Sequence, residues 1–330
     1  MKKFLIFIFL IIPMHAKAND KLVIYTYDSF VSTWGPGPEV KKRFENLCNC
    51  ELSFVSTDSA ASLLSRVILE GESTKADIVL GLDMNLLDQA KNTKLFRKHS
   101  LIKIEDKLIL PIKWLDDTFI PFNYGYFAFV YNNKKFKNPP SSFDELISKT
   151  NARIVIQDPR TSSPGLGLLT WMKAIYGDNA KIKWKNLNKK IITVTKGWTD
   201  SYYNIFLTGE ADLVFSYTTS PAAHIMFENN YDYSSIIFKE GNYLSVEFAG
   251  IIESSEKNEL ANEFLEFMIS EDFQSLIPIT NIMYPVINIG DQLPEAYKKI
   301  NKPHKSIQID PKIINNKKEM WINEWKDSSY

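Results

Sequence analysis

Residues 21–26 read Lys-Leu-Val-Ile-Tyr-Thr, a run of branched and aromatic side chains with the composition of a β-strand. A polar loop, Tyr27-Asp28-Ser29-Phe30, follows it, and then a helical stretch over 38–47. The pattern repeats downstream. Glu51 to Ser56 predicts a second strand, and Ser59 to Glu70 a second helix, with Asp58 or Ser59 as its cap and Gly71 at its end. Residues 76–81, Ala-Asp-Ile-Val-Leu-Gly, predict a third strand, followed by a helix over 85–92. Strands alternating with helices at this spacing predict an α/β fold whose parallel sheet is covered by helices.

A second α/β unit follows. Its expected strands lie at 126–131, 154–156, 191–195 and 213–217, and its helices at 143–150, 164–176 and 199–208. Ser163 and Pro164 open the middle helix, and Gly209 closes the last. The strand predicted at 244–251 returns toward the first unit. An amphipathic helix over 259–269, a short helix over 271–277 and a helical tail over 311–325 complete the pattern. No repeat and no flexible linker separates the units, so strand-like crossings between them predict a hinge.

A length of 330 residues suits two domains. Hydrophobic residues at 45% and charged residues at 24% exclude a disordered or fibrous chain. Lys and Arg number 39, as do Asp and Glu, so the basic excess of a bulk nucleic-acid binder is missing. Aromatic residues reach 13%, which suits either an enlarged core or a cleft lined with rings.

Lys2 and Lys3 precede nine apolar residues, Phe4 to Ile12; Pro13 breaks the run, and Ala16-Lys17-Ala18 is an A-x-A cleavage site. Residues 1–18 therefore read as a secretory signal peptide with cleavage after Ala18, too short to span a membrane. With no cysteine at that point, a lipid anchor is not expected, and the expected location is the periplasm. The mature chain, 19–330, has 312 residues with 36 Lys and Arg against 39 Asp and Glu, a net charge of −3. Cys48 and Cys50 flank Asn49. In an oxidising compartment they can pair; free thiols and a metal site are the alternatives, although no further metal ligands lie nearby.

In open α/β sheets, ligands bind beyond the carboxyl ends of the strands. The loops there carry Tyr27-Asp28-Ser29, Thr57-Asp58-Ser59-Ala60, Gly81-Leu82-Asp83, Asp158 to Ser163, Lys196 to Thr199 and Ser216 to Ser220. Ser59-Ala60 and Thr161-Ser162 stand at helix starts, where free N–H groups and the positive dipole end favour anions. N-capping is the plainer role for such hydroxyls. Trp198 and Tyr217 suit stacking on a flat or cationic ligand. Asp28 and Asp83 suit an amino group or positive charge, with turn formation as the plainer role.

Catalytic signatures are missing. The sequence has no G-x-S-x-G, H-E-x-x-H or Walker A motif. In the mature chain, the three histidines, His99, His224 and His304, stand in unrelated contexts. No catalytic residue, resident cofactor or metal site is expected.

Eight motifs resemble those of the thiamine-binding periplasmic proteins of bacterial thiamine ABC transporters. They are Y-T-Y-D-S-F at 25–30, W-G-P-G-P at 34–38, C-N-C-E-L at 48–52, A-D-I-V-L-G-L-D at 76–83, P-F-N-Y-G-Y-F-A-F-V-Y at 121–131, Q-D-P-R-T-S-S-P-G-L-G at 157–167, T-K-G-W at 195–198 and S-Y-T-T-S-P-A at 216–222. The resemblance covers nearly the whole mature chain. It implies a two-lobed type II periplasmic-binding-protein fold with a central cleft and hinge strands. Residues 19–121 and 248–300 would form one lobe, 122–247 the other, and 301–330 a helical tail packed on both.

The same resemblance implies capture of thiamine, thiamine monophosphate and thiamine diphosphate as transported ligands. Delivery would be to a membrane permease with its ATPase, by a protein expected to be a monomer. It places ligand contacts at Ser59, Ala60, Thr161, Ser162, Trp198, Ser216, Tyr217, Thr218 and Thr219. Tyr27, Asp28, Trp34 and Asp83 are further candidates. One position departs from the pattern: where relatives carry a Trp, this chain has Ile282, within Asn281-Ile282-Met283-Tyr284-Pro285.

Two other functions fit parts of the pattern. A ferric-ion binder of the same fold would use Tyr202-Tyr203. Helical neighbours diverge by about 100°, so that pair is more readily one core ring and one cleft ring. An exported enzyme acting on thiamine compounds would use Cys48 or Cys50 as nucleophile.

Overall fold

A computed structural model describes residues 20–328; the expected signal peptide and its cleavage site lie outside them. The first βαβαβ unit comprises β1 (Lys21–Tyr27), α1 (Asp28–Val31), α2 (Gly37–Cys48), β2 (Glu51–Thr57), α3 (Ala60–Glu70), β3 (Ile78–Asp83) and α4 (Leu87–Asn92). The expected polar loop at 27–30 is the one-turn helix α1. Burial of Phe30 in the core decides this, and Gly35 makes it possible, because a Cβ there would lie 2.2 Å from the Ser29 carbonyl oxygen. Ser59 caps α3 by accepting from Ser62 N, and Gly71 ends the helix with φ +54°. Cys48 and Cys50 are joined by a disulfide.

Next come β4 (Phe96–Arg97), the fourteen-residue strand β5 (Phe119–Asn132), α5 (Phe143–Ser148), β6 (Ile154–Gln157), α6 (Ser163–Tyr176) and α7 (Ala180–Leu187). Then follow β7 (Ile191–Thr195), a π-helical segment Asp200–Phe206, β8 (Leu213–Tyr217), α8 (Ser220–Glu228) and β9 (Tyr233–Ser235). The chain closes with β10 (Asn242–Ile252), α9 (Asn258–Met268), α10 (Glu271–Gln274) and a second π-helical segment, Ile277–Asn281. After it come β11 (Tyr284–Pro285), α11 (Ala296–Lys299), β12 (Ser306–Ile307) and α12 (Pro311–Ser328). Helices α7 and α8 escape the sequence pattern. The first buries only Ala180, Trp184 and Leu187 among lysines and asparagines, and the second starts where Ser216 to Ser220 reads as a loop.

The sheet runs β2-β1-β3-β10-β5-β8-β6-β7. Its two flanks are parallel, β2-β1-β3 on one side and β8-β6-β7 on the other. Both flanks are joined through the antiparallel strands β10 and β5, which makes two α/β lobes linked by crossing strands. Strand β5 starts seven residues before the expected position, passing through Pro121. There its ladder with β10 shifts register at Glu247/Phe248, so the missing N–H is tolerated. The ladder of β10 with β3 shifts at the next step, Phe248/Ala249. Both irregularities fall together, midway between the lobes.

Most aromatic residues serve the core. Phe44, Phe264, Phe267 and Phe273 pack on one another in one lobe, and Phe129, Phe143, Trp171, Phe215 and Phe238 in the other. Helix α12 spans both. Its Asn315 and Lys318 donate to Asp88 and Gln89, Lys173 pairs with Glu324, and Asn188 bonds Ser328. Among the described residues, no helix is long and apolar enough to cross a membrane.

Candidate functional site

The parallel strands of both lobes point their carboxyl ends at one cleft, a cavity of about 870 Å³. One wall carries Tyr27, Asp28, Trp34, Ser59, Ala60 and Gly81. The facing wall carries Thr161, Ser162, Trp198, Tyr202, Tyr203 and Tyr217. Glu247 of β10 and residues 279–283 line it between them. Nine sequence-derived candidates therefore meet: Ser59, Ala60, Thr161, Ser162, Trp198, Tyr217, Tyr27, Asp28 and Trp34.

Four candidates do not line the cleft. Ser216, Thr218 and Thr219 are fully buried: alternation along β8 points Ser216 inward, and the turn from β8 into α8 encloses Thr218 and Thr219. Asp83 is also buried; its Oδ1 accepts from Asn85 N and caps the turn after β3. Burial pushes the Asp83 carboxyl up, while Ser163 and Asn85 oppose the rise.

Trp198 follows Gly197 at the end of β7. Its indole N–H donates to Ser216 Oγ across 2.7 Å, and its ring stacks on Tyr202 at 4.9 Å and 26°. Tyr202 is buried and Tyr203 is 47% exposed, so the adjacent pair divides into one packed ring and one open ring. The Tyr202 hydroxyl bonds His224 Nε2 at 3.0 Å, and His224 Nδ1 bonds Glu228 at 3.0 Å. His224 also stacks on Tyr233 at 4.0 Å, so the cleft wall is backed by a continuous column of rings.

Opposite, Tyr27 donates its hydroxyl to Glu247 Oε2 at 2.9 Å and lies 3.3 Å from Asn281 Oδ1. Gly81, at φ +105°, makes room for that ring, since a Cβ would come within 2.4 Å of it. Glu247 Oε2 also accepts from Asn123 Nδ2 at 2.7 Å. The remaining surface of Glu247 faces the cavity. Burial pushes its carboxyl up to about 7; the Asn123 and Tyr27 hydrogen bonds pull it down and Asp83 pushes it further up. Burial likewise raises Tyr27, Tyr202 and Tyr217.

At the mouth, Lys196 of one lobe pairs with Asp58 of the other, and the Thr161 hydroxyl donates to Lys196 O at 2.7 Å. Ser59 and Ser162 cap α3 and α6, and both also line the cleft. Glu247, His224 and Asn281 are not legible as site residues, and Tyr202 is singled out in the sequence only as half of the adjacent tyrosine pair. The one available signal is Glu247 itself, a lone acid inside the apolar run Leu244 to Ile251. No group of three or more His, Cys, Asp or Glu able to hold a metal occurs among the described residues.

Two lobes on crossing strands, with a polar and aromatic cleft between them, define a solute-binding protein. The chain belongs to the family described as bacterial extracellular solute-binding protein, matching it over residues 73–317; these are carriers, not enzymes. It is 51% identical to the thiamine-binding periplasmic protein of Escherichia coli K12 over 94% of this chain and 93% of that one. It is 44% identical to the Haemophilus influenzae protein of the same description, over 94% and 93%. A solved periplasmic thiamin binding protein superposes with a TM-score of 0.91 at 49% identity, covering 97% of this chain and 99% of that one. A ferric binding protein from Campylobacter jejuni shares the fold at TM-score 0.77 and 20% identity, covering 93% and 99%.

Proposed function

We propose that this chain captures thiamine in the periplasm and hands it to a membrane permease driven by an ATPase subunit. The observation that carries the reading is the pairing of an aromatic wall, Trp198 on Tyr202, with the acidic Glu247 in one cleft. A flat aminopyrimidine linked to a cationic thiazolium needs both ring surface and negative potential. The thiamine-binding relatives at 44–51% identity support the same choice.

Thiamine monophosphate and diphosphate fit as further ligands. The N-termini of α3 and α6 open on the cavity at Ser59-Ala60 and Thr161-Ser162, where phosphate oxygens would find free N–H groups. The moving bodies would be 19–121 with 248–300 and 122–247, dividing at the register shifts beside Pro121 and Glu247, with 301–330 as the tail. The protein acts as a monomer with no resident cofactor.

Calorimetric titration of the mature chain with thiamine, its monophosphate and its diphosphate tests the reading. Binding at micromolar ligand is the expected result, and none with any of the three overturns it. Solution scattering with and without ligand checks closure of the lobes.

A further inference from the structure

Glu247 is not among the residues that the sequence singles out, yet it occupies the point where the lobes join. It lies on β10 beside the two adjacent register shifts, opposite Asp83 on β3 and Asn123 on β5. Its Oε2 already receives two donors, Tyr27 Oη–H and Asn123 Nδ2–H. Its open side is the cavity.

Among the described residues, the titratable groups that face it are Tyr27 from β1, Asp83 from β3 and Tyr217 from β8. None is a cation. Lys318 of α12 acts on Asp83 behind the wall. A carboxylate shielded from water, with a second acid nearby and no positive partner, holds its proton into the neutral range. The missing cation and the missing donor are what an amino-substituted heterocycle with a fixed positive charge supplies.

We propose that Glu247 is the proton-coupled acceptor of the ligand: thiamine binds its carboxylate form, and capture releases the carboxyl proton to solvent. This rests on the thiamine reading. The carboxyl O–H breaks, its proton passes to buffer, and the freed oxygens accept from the ligand's amino group and face its positive charge. No covalent bond to the ligand forms.

The test is calorimetry of the mature chain with thiamine at pH 6, 7 and 8, in two buffers of different ionisation enthalpy. The expected result is release of about half a proton per thiamine at pH 7, and affinity about tenfold weaker at pH 6 than at pH 8. Glu247→Gln should abolish both the proton release and the pH dependence and bind more weakly at pH 8, with its melting transition retained. Wild-type protein that binds thiamine without releasing a proton overturns the inference and leaves the thiamine reading standing. So does a folded Glu247→Gln variant that still releases it, which would move the titration to Asp83. Wild-type protein that binds no thiamine overturns both.

Discussion

Trp198 donates its indole N–H to Ser216 Oγ across 2.7 Å, and Ser216 Oγ bonds Ser220 Oγ at the same distance. A ring at a strand-end loop is thereby fixed in orientation by a hydroxyl that never reaches the cleft. Any effect of Ser216 on binding is therefore expected to pass through Trp198. Replacing Trp198 by Ala should weaken thiamine binding by about 1–3 kcal/mol, from lost stacking and buried area. Ser216→Ala should cost about 1 kcal/mol in affinity, from a less constrained indole. Titration of both variants checks the order; equal losses would make Ser216 a direct contact.

Ile282 lines the cleft with φ +54°, a left-handed conformation that a β-branched residue adopts at a cost of about 1–2 kcal/mol. The strain holds an aliphatic side chain in the wall. Ile282→Gly should raise the melting temperature and weaken thiamine binding about threefold to tenfold, through lost apolar contact. Ile282→Trp should strengthen binding about twofold to tenfold by adding a π face. Thermal melts and titrations on the two variants check both signs.

Lys196 and Asp58 join the loops after β7 and β2 across the mouth. Both side chains are exposed, at 71% and 54%, so the pair is screened by salt and contributes little to folding. Lys196→Ala should leave melting unchanged and speed thiamine release about twofold to fivefold at low salt. Stopped-flow release measured at low and high salt checks this, with the difference vanishing at high salt.

Glu247 also sets a pH dependence on the empty protein. Its folded value, about 7, lies above the ordinary glutamate value of 4.5. Its contribution is therefore fully present below about pH 4.5 and is lost as pH rises through 7, by up to about 3 kcal/mol. Glu247→Gln should remove that slope and melt at a higher temperature than wild type at pH 8. Denaturant melts of the ligand-free proteins between pH 5 and 8 measure it.

The strand–helix alternation from Lys21 to Asn92 and the buried runs at Ile154 and Leu213 are legible because local propensity and burial agree there, whereas β7 is legible from its β-branched residues alone, with Ile192 and Val194 exposed. Helix α7 was not, since its exposed lysines hide a three-residue contact face. Nor was the early start of β5, where Pro121 is tolerated because β5 carries an extra residue against β10 at that step.

The α/β class, the loops that carry the cleft and the resemblance to thiamine-binding proteins are all properties of contiguous stretches and can be read from the residues in order. Which side chains of those loops face the cleft depends on the packed fold. Parity along β8 turned Tyr217 outward and Ser216 inward, and Asp83 was drawn into a turn. The packed fold also brought Tyr27, Asn123 and Glu247, separated by up to 220 residues, onto one carboxylate oxygen. Hydrogen bonds of that reach depend on the register of strands that meet only in the folded sheet, and no local pattern encodes them.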